Sequence, residues 1–367
     1  MTMKTTTYQP GQNIIDIKKK YRLKKVVKLA SNENPSGPSS KALIAGKKIL
    51  NSINRYPDSK SIKLRQTIKD YLSKSYLAID NIMIGNGSNE ILEFVARRFL
   101  NEKSEVLFCK HSFLVYKIIS RNMRARIIES NPIMKPGPDH LSIDLDDMRS
   151  CVTNKTNVIF IANPSNPTGT ALNINRISKF IESLPKRIIV VIDEAYYEYS
   201  VFQGLKSAIN LLKKYPNLII TRSFSKIHAL AGSRIGYGLA SKKIVNDFND
   251  YRQPFNINYV AQEMAAVSLM DKSFVNQSLR ANDAGMNYLR SSFDNLDVSY
   301  LNSYTNFLTI KLGQKTKKIF NELLSQGVIL RPLDNYNLSQ YLRVTIGSKS
   351  ENKFLINKIT KILRSIK

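Results

Sequence analysis

The sequence has 367 residues, is 43% hydrophobic and carries a formal net charge of +28. That length supports two domains with sizeable cores, and the apolar content excludes an extensively disordered chain. The apolar runs at 158–162 and 188–192 are far too short to cross a membrane, and residues 1–13 hold no apolar stretch of the signal-peptide kind, so a soluble, cytoplasmic protein is expected.

The lysines are spread along the whole chain in small clusters such as Lys18-Lys19-Lys20 and Lys317-Lys318, without interleaved aromatics. A solvated basic surface is therefore expected, and not a nucleic-acid site. The two cysteines, Cys109 and Cys151, form no close pair, and His111, His140 and His228 share no ligand spacing. Neither a disulfide framework nor a metal site is expected.

Residues 1–40 read as an arm. Tyr8-Gln9-Pro10-Gly11 opens it, a basic helix covers 14–21, and the stretch from Lys28 to Ser39 is loop-like, with two prolines and a glycine. A helix over 41–50 precedes Asn54-Arg55-Tyr56-Pro57-Asp58, where Tyr56 stands before a proline and so is extended. Leu64, Ile68, Tyr71 and Leu72 have helical spacing. Gly85-Asn86-Gly87-Ser88-Asn89 then leads into an amphipathic run with Ile91, Leu92, Val95, Ala96 and Phe99. Ser88 is placed to cap that helix, and its free N–H groups suit an anion, although a capped helix without a ligand would use the same residues.

Strands at 106–109 and 127–128 alternate with helices as in a βα series, with His111-Ser112-Phe113 between them. The strand at 158–162 runs into Asn163-Pro164-Ser165-Asn166-Pro167-Thr168-Gly169, an irregular loop at a strand end, where open α/β sheets bind ligands. The strand at 188–192 ends in Asp193-Glu194-Ala195-Tyr196. A carboxylate just beyond an apolar strand needs a cation or hydrogen-bond donors, unless it caps a helix.

After a short strand at 217–220 come Thr221, Ser223 and Ser225, three hydroxyls around Lys226, and then Arg234. Two serines and an arginine suit a phosphate. A lysine among them suits covalent capture of a phosphorylated aldehyde. A loop of solvated charges fits this stretch alone equally well. Residues 252–258 break a helix and link the domains, and 259–293 are helical. Strands at 298–301, 306–311, 328–330 and 341–345 surround a helix at 316–326, and Phe354, Leu355, Ile359, Ile362, Leu363 and Ile366 stripe a last helix.

Ser-Phe-Ser-Lys at 223–226, followed by Gly-Ser-Arg-Ile-Gly-Tyr at 232–237, resembles the lysine segment of fold-type I pyridoxal-phosphate (PLP) aminotransferases, and most closely that of the histidinol-phosphate aminotransferases. The resemblance runs from Tyr8 to Arg343, with its motifs in the family's order. It implies an α/β fold: a large domain with a mostly parallel seven-stranded sheet, and a smaller α+β domain. Residues 1–45 would be an arm joining the small domain, 46–255 the PLP-binding domain, and 256–367 the rest of the small domain.

The resemblance also implies site roles. Lys226 would carry PLP and move the substrate proton, Asp193 would pair with the ring nitrogen, and Asn166 and Tyr196 would bond its phenolic oxygen. Phe113 would stack on the ring. Gly87, Ser88, Asn89, Ser223, Ser225 and Arg234 would surround the phosphate, which Tyr56 would reach from the neighbouring subunit of a homodimer. Tyr8, Asn34, Arg331 and Arg343 match substrate-binding positions. The implied reaction is transamination between L-histidinol phosphate and 2-oxoglutarate, giving imidazole acetol phosphate and L-glutamate, with no nucleic acid, membrane or metal involved. Aromatic-amino-acid aminotransferases and threonine-phosphate decarboxylases share the scaffold and stay open as alternatives. Two positions depart from the pattern: Asn89 stands where aspartate is usual, which removes a negative charge beside an anion, and His111 stands where proline is common, which alters the loop before Phe113.

Overall fold

The computed structural model describes residues 11–366, so Tyr8 lies outside the described residues. Its strands are β1 (Val27–Lys28), β2 (Ile82–Gly85), β3 (Glu105–Cys109), β4 (Arg126–Ser130), β5 (Thr156–Ala162), β6 (Ile189–Asp193), β7 (Leu218–Ser223), β8 (Gly236–Leu239), β9 (Phe307–Lys311), β10 (Val328–Ile329), β11 (Arg331–Pro332) and β12 (Tyr341–Thr345). The main sheet has seven strands in the order β2-β8-β7-β6-β5-β3-β4. All its pairings are parallel except those that β8 makes with β2 and β7.

The continuous apolar runs follow from this arrangement, because a parallel sheet is covered on both faces. Side chains alternate between the faces. Ile159, Ile161, Val190, Ile192 and Ile220 enter one core, while Val158, Phe160, Val191 and Ile219 enter the other. Burying each such side chain contributes about 1.5–3 kcal/mol, and truncating Ile159 to alanine would cost about 2–5 kcal/mol. The helix Ser88–Phe99 lays Ile91, Leu92, Val95 and Ala96 into the second core, matching its sequence stripe.

A smaller sheet, ordered β11-β12-β9 and antiparallel, builds a separate core with the last helix, Lys349–Ile366, which contributes Leu355, Ile359 and Ile362. The arm joins this part, since β1 pairs in parallel with β10.

Three expectations change. Residues 298–301 run beside β9 but pair only through an isolated bridge, Tyr300 to Ile310, and form no strand. Beyond them, the hydroxyls of Ser303 and Thr305 both turn to the Phe307 carbonyl, so side chains take over from the ladder. The helix Tyr259–Met270, expected in the smaller domain, packs on the helices Ser40–Ile49 and Ile62–Leu72. It sends Ala261, Met264, Ala265 and Leu269 into a core of the main sheet. Ser88 is the first helical residue and not the cap; Gly87 precedes it with φ 78° and ψ 163°.

Candidate active site

The C-terminal ends of the parallel strands converge on one cavity of about 310 Å³, within the usual range for small-molecule sites. β3 leads to Phe113, β5 to Asn166, β6 ends at Asp193 shortly before Tyr196, and β7 ends at Ser223, ahead of Ser225 and Lys226. Ser88, Asn89 and Arg234 line the same cavity, and from the smaller sheet so do Arg331 and Arg343. Stretches far apart in the chain are thus brought together.

Asp193 is buried. Its Oδ2 accepts from the Tyr116 hydroxyl at 2.9 Å, and its Oδ1 accepts from the Thr221 hydroxyl at 3.1 Å and the Ala195 N–H at 3.2 Å. Thr221 therefore serves the carboxylate and not the lysine that its sequence neighbours surround. Burial raises the Asp193 pKa, and the three donors pull it back. Such a carboxylate, desolvated and held by neutral donors, is suited to receive a cation. Its neighbour Glu194 is committed elsewhere, to a buried ion pair with Arg222 at 2.8 Å.

Lys226 Nζ donates to the Ser31 carbonyl at 3.2 Å and lies 5.7 Å from the Tyr196 ring centroid. Burial first, then the Arg343 charge, lowers its pKa to about 8. A larger share of neutral amine, the nucleophilic form, follows at neutral pH. The Tyr196 hydroxyl accepts from Asn32 Nδ2 at 2.9 Å, and its pKa is pushed up to about 12, chiefly by burial.

At one end, Ser88 opens the helix Ser88–Phe99, and the Ser225 N–H donates to Ser223 Oγ at 3.0 Å. Arg234 is anchored by Nη1 to the Ala231 carbonyl at 3.0 Å. A Cβ at Gly87 would stand 2.5 Å from Arg234 Nη2, so glycine is required both for its positive φ and for the guanidinium beside it. Helix N–H groups, hydroxyls and a guanidinium make an anion cup.

At the other side, Arg331 and Arg343 are register partners across β11 and β12, so both side chains stand on one face of the sheet. Both are buried. Arg343 donates to Asn166 Oδ1 and, at 2.9 Å, to the Ala30 carbonyl, and lies 5.2 Å from the Phe307 ring centroid.

Asn34 is not among the cavity's lining residues. Its amide donates to the Ile227 carbonyl at 2.9 Å and Ser278 Oγ at 3.1 Å, while Asn32 and Glu33 line the cavity instead. Asn32 has φ 56°, so the chain turns there and carries Asn34 away. Tyr56 is 82% exposed and stacks on Phe255 at 4.6 Å, outside this chain's own cavity. Sequence reasoning missed Asn32, Tyr116 and Tyr336. The last lines the cavity, and its carbonyl is bonded by His111 Nδ1, which gives that departure from the family pattern a structural partner.

Residues 24–359 match the family model for aminotransferase class I and II. Histidinol-phosphate aminotransferase 1 of Idiomarina loihiensis is 39% identical over 97% of this chain and 94% of its own length. Histidinol-phosphate aminotransferase 2 of Hydrogenovibrio crunogenus is 40% identical over 98% and 94%.

The chain belongs to the class I and II aminotransferases.

The histidinol-phosphate aminotransferase of Sinorhizobium meliloti, solved in complex with pyridoxal-5'-phosphate, shares this aminotransferase's fold. The two superpose with a TM-score of 0.87 over 100% of this chain and 99% of that one, at 22% identity. Among the described residues of the aminotransferase, no helix is long and apolar enough to cross a membrane, and no three His, Cys, Asp or Glu side chains gather as a metal would require. Cys109 is a buried thiol whose pKa is raised to about 12 by burial.

Proposed function

We propose that this aminotransferase works as a cytoplasmic homodimer that binds PLP in the cavity. In this reading it transfers the amino group of L-histidinol phosphate to 2-oxoglutarate, giving imidazole acetol phosphate and L-glutamate in histidine biosynthesis. The observation that carries the substrate reading is the pairing of Arg331 and Arg343 on the cavity wall. Each amino donor presents an anion away from its reacting carbon, a phosphate in one and a carboxylate in the other, and two adjacent guanidiniums suit both. The full-length similarity to histidinol-phosphate aminotransferases supports the same reading.

The residues present fit PLP. The anion cup with its glycine-cleared Arg234 suits the phosphate, the desolvated Asp193 suits a protonated ring nitrogen, and a lysine of lowered pKa lines the same cavity. When bound, PLP supplies the electron sink for a carbanion at the substrate Cα. Ser88, Asn89, Ser223, Ser225 and Arg234 would hold its phosphate, with Gly87 leaving room. Asp193 would hold a proton on the ring nitrogen, Asn166 and Tyr196 would bond the phenolic oxygen, and Phe113 would cover the ring. The Lys226 amine would take the proton from the substrate Cα.

Exposed Leu43, Ile44, Leu50 and Ile53, shortly before Tyr56 in the chain, support a subunit interface across which the partner's Tyr56 reaches the phosphate. The large domain in this reading extends past the helix Tyr259–Met270. The smaller one comprises the sheet of β9, β11 and β12 together with the arm.

A panel of amino donors with 2-oxoglutarate tests the reading. Histidinol phosphate is expected to exceed phenylalanine and tyrosine by about tenfold or more in kcat/KM. Preference for phenylalanine, or CO2 release from threonine phosphate, would overturn it.

A further inference from the structure

Tyr116 is a fully buried phenol on the helix Leu114–Asn122, and no sequence motif pointed to it. Its ring is stacked on Phe160 with centroids 4.7 Å apart and planes 8° from parallel, and it meets Phe113 edge-on at 5.8 Å. Phe108 lies 6.1 Å away. Phenylalanine would satisfy such a setting, because a hydroxyl among aromatic rings costs free energy unless it is bonded. The hydroxyl here donates to Asp193 Oδ2. The other oxygen, Oδ1, already has Thr221 and the Ala195 N–H.

We propose that Tyr116 is the positioning residue that keeps Asp193 ionised and aimed at the cofactor ring. Two causes compete at the carboxylate. Burial favours the neutral acid, and donated hydrogen bonds favour the anion. Oδ1 has two donors, whereas Oδ2 accepts from Tyr116, so this hydroxyl decides whether that half of the carboxylate is held. The tyrosine stays a donor throughout, since burial and the Asp193 charge raise its own pKa well above the ordinary value. The stacked Phe160 fixes the ring, and so fixes the angle of the bond.

The proposal rests on reading Asp193 as the partner of the ring nitrogen, and the test separates the two. In Tyr116→Phe, which keeps the ring packing, the PLP dissociation constant by equilibrium dialysis is expected to rise about tenfold or more. A hydrogen bond to a charged group is worth one to two decades. The pH titration of the bound cofactor's visible absorption is expected to shift. For both histidinol phosphate and glutamate, kcat is expected to fall by one to two decades while KM changes by less than about threefold. In an Asp193→Asn background the same substitution is expected to change the PLP dissociation constant by less than about twofold, because the two act as one unit.

An unchanged dissociation constant and titration in Tyr116→Phe would overturn the proposal. So would an equal loss in the Asp193→Asn background, which would place the hydroxyl's effect elsewhere. Asp193→Asn that alone binds PLP and turns over like the native enzyme would instead sink the parent reading. The unfolding midpoint of the apoprotein, measured alongside, registers a merely structural role, which would move it and leave the cofactor titration in place.

Discussion

Replacing Gly87 with alanine tests the anion cup through two separable effects. With φ 78° and ψ 163°, Gly87 occupies a backbone region essentially reserved for glycine, so alanine costs roughly 1–3 kcal/mol of stability wherever its methyl points. The methyl would also stand 2.5 Å from Arg234 Nη2. A long side chain moves aside cheaply, so little further stability is lost, but the guanidinium leaves its post. If Arg234 holds the cofactor phosphate, a charge-assisted contact of about 1.5–3 kcal/mol is lost, and PLP affinity falls by one to two decades. Gly37→Ala is the control: its φ is 69°, but nothing lies within 4 Å of the added carbon. It is expected to lose about 1–2 kcal/mol of stability and no affinity. The chain has no tryptophan, so urea unfolding is followed by far-ultraviolet circular dichroism and PLP binding by equilibrium dialysis. A Gly87→Ala protein that binds PLP within about twofold of native would refute the assignment of Arg234 to the phosphate.

Lys226→Ala is expected to abolish transamination and retain noncovalent PLP; borohydride reduction of the native enzyme with peptide mapping should label Lys226, and a label on another lysine would end that assignment. With its pKa lowered to about 8, Lys226 is expected to capture PLP in the apoprotein at a rate that rises with pH and levels above about pH 8; a rise continuing toward the ordinary lysine value of 10.5 would show the amine to be solvated. The sign for stability follows. The unfolded lysine keeps its proton up to about 10.5, so this group stabilises the fold increasingly between pH 8 and 10.5, a slope that Lys226→Met should lack. Arg343→Lys is expected to cost about one to two decades in kcat/KM for both histidinol phosphate and glutamate, since an ammonium cannot hold Asn166, Ala30 and an anion together. Single-turnover kinetics with an unchanged constant for histidinol phosphate would assign the phosphate to another group.

Five of the main sheet's seven strands were legible, the central ones because they are apolar on both faces and their ligand loops break with prolines and glycines; β2 and β8, short and flanked or interrupted by glycines, were not read as strands. β5, β6 and β7 lie within a residue or two of where the sequence puts them, apart from the far end of β7. Arg331 and Arg343 could be picked out by type and by apolar flanks, but the register that sets them side by side is a three-dimensional fact. Tyr116 was illegible for a different reason. A tyrosine on an amphipathic helix reads as core, and the partner that makes it more than core is 77 residues away. Asn32 and Asn34 are the same residue type two places apart, and only the left-handed turn at Asn32 decides which one faces the site.

The register that pairs Arg331 with Arg343 sets two positive charges directly opposite each other in the sheet. Like charges directly opposite in a sheet destabilise it. If these two guanidiniums receive the substrate anion, as proposed, an arriving phosphate or carboxylate offsets part of that repulsion and a departing product restores it. On that proposal substrate anions become part of what keeps this region folded, and the apparent stability of the chain grows with the logarithm of their concentration once it exceeds the dissociation constant. A cell short of both amino donors would hold a looser enzyme than one well supplied.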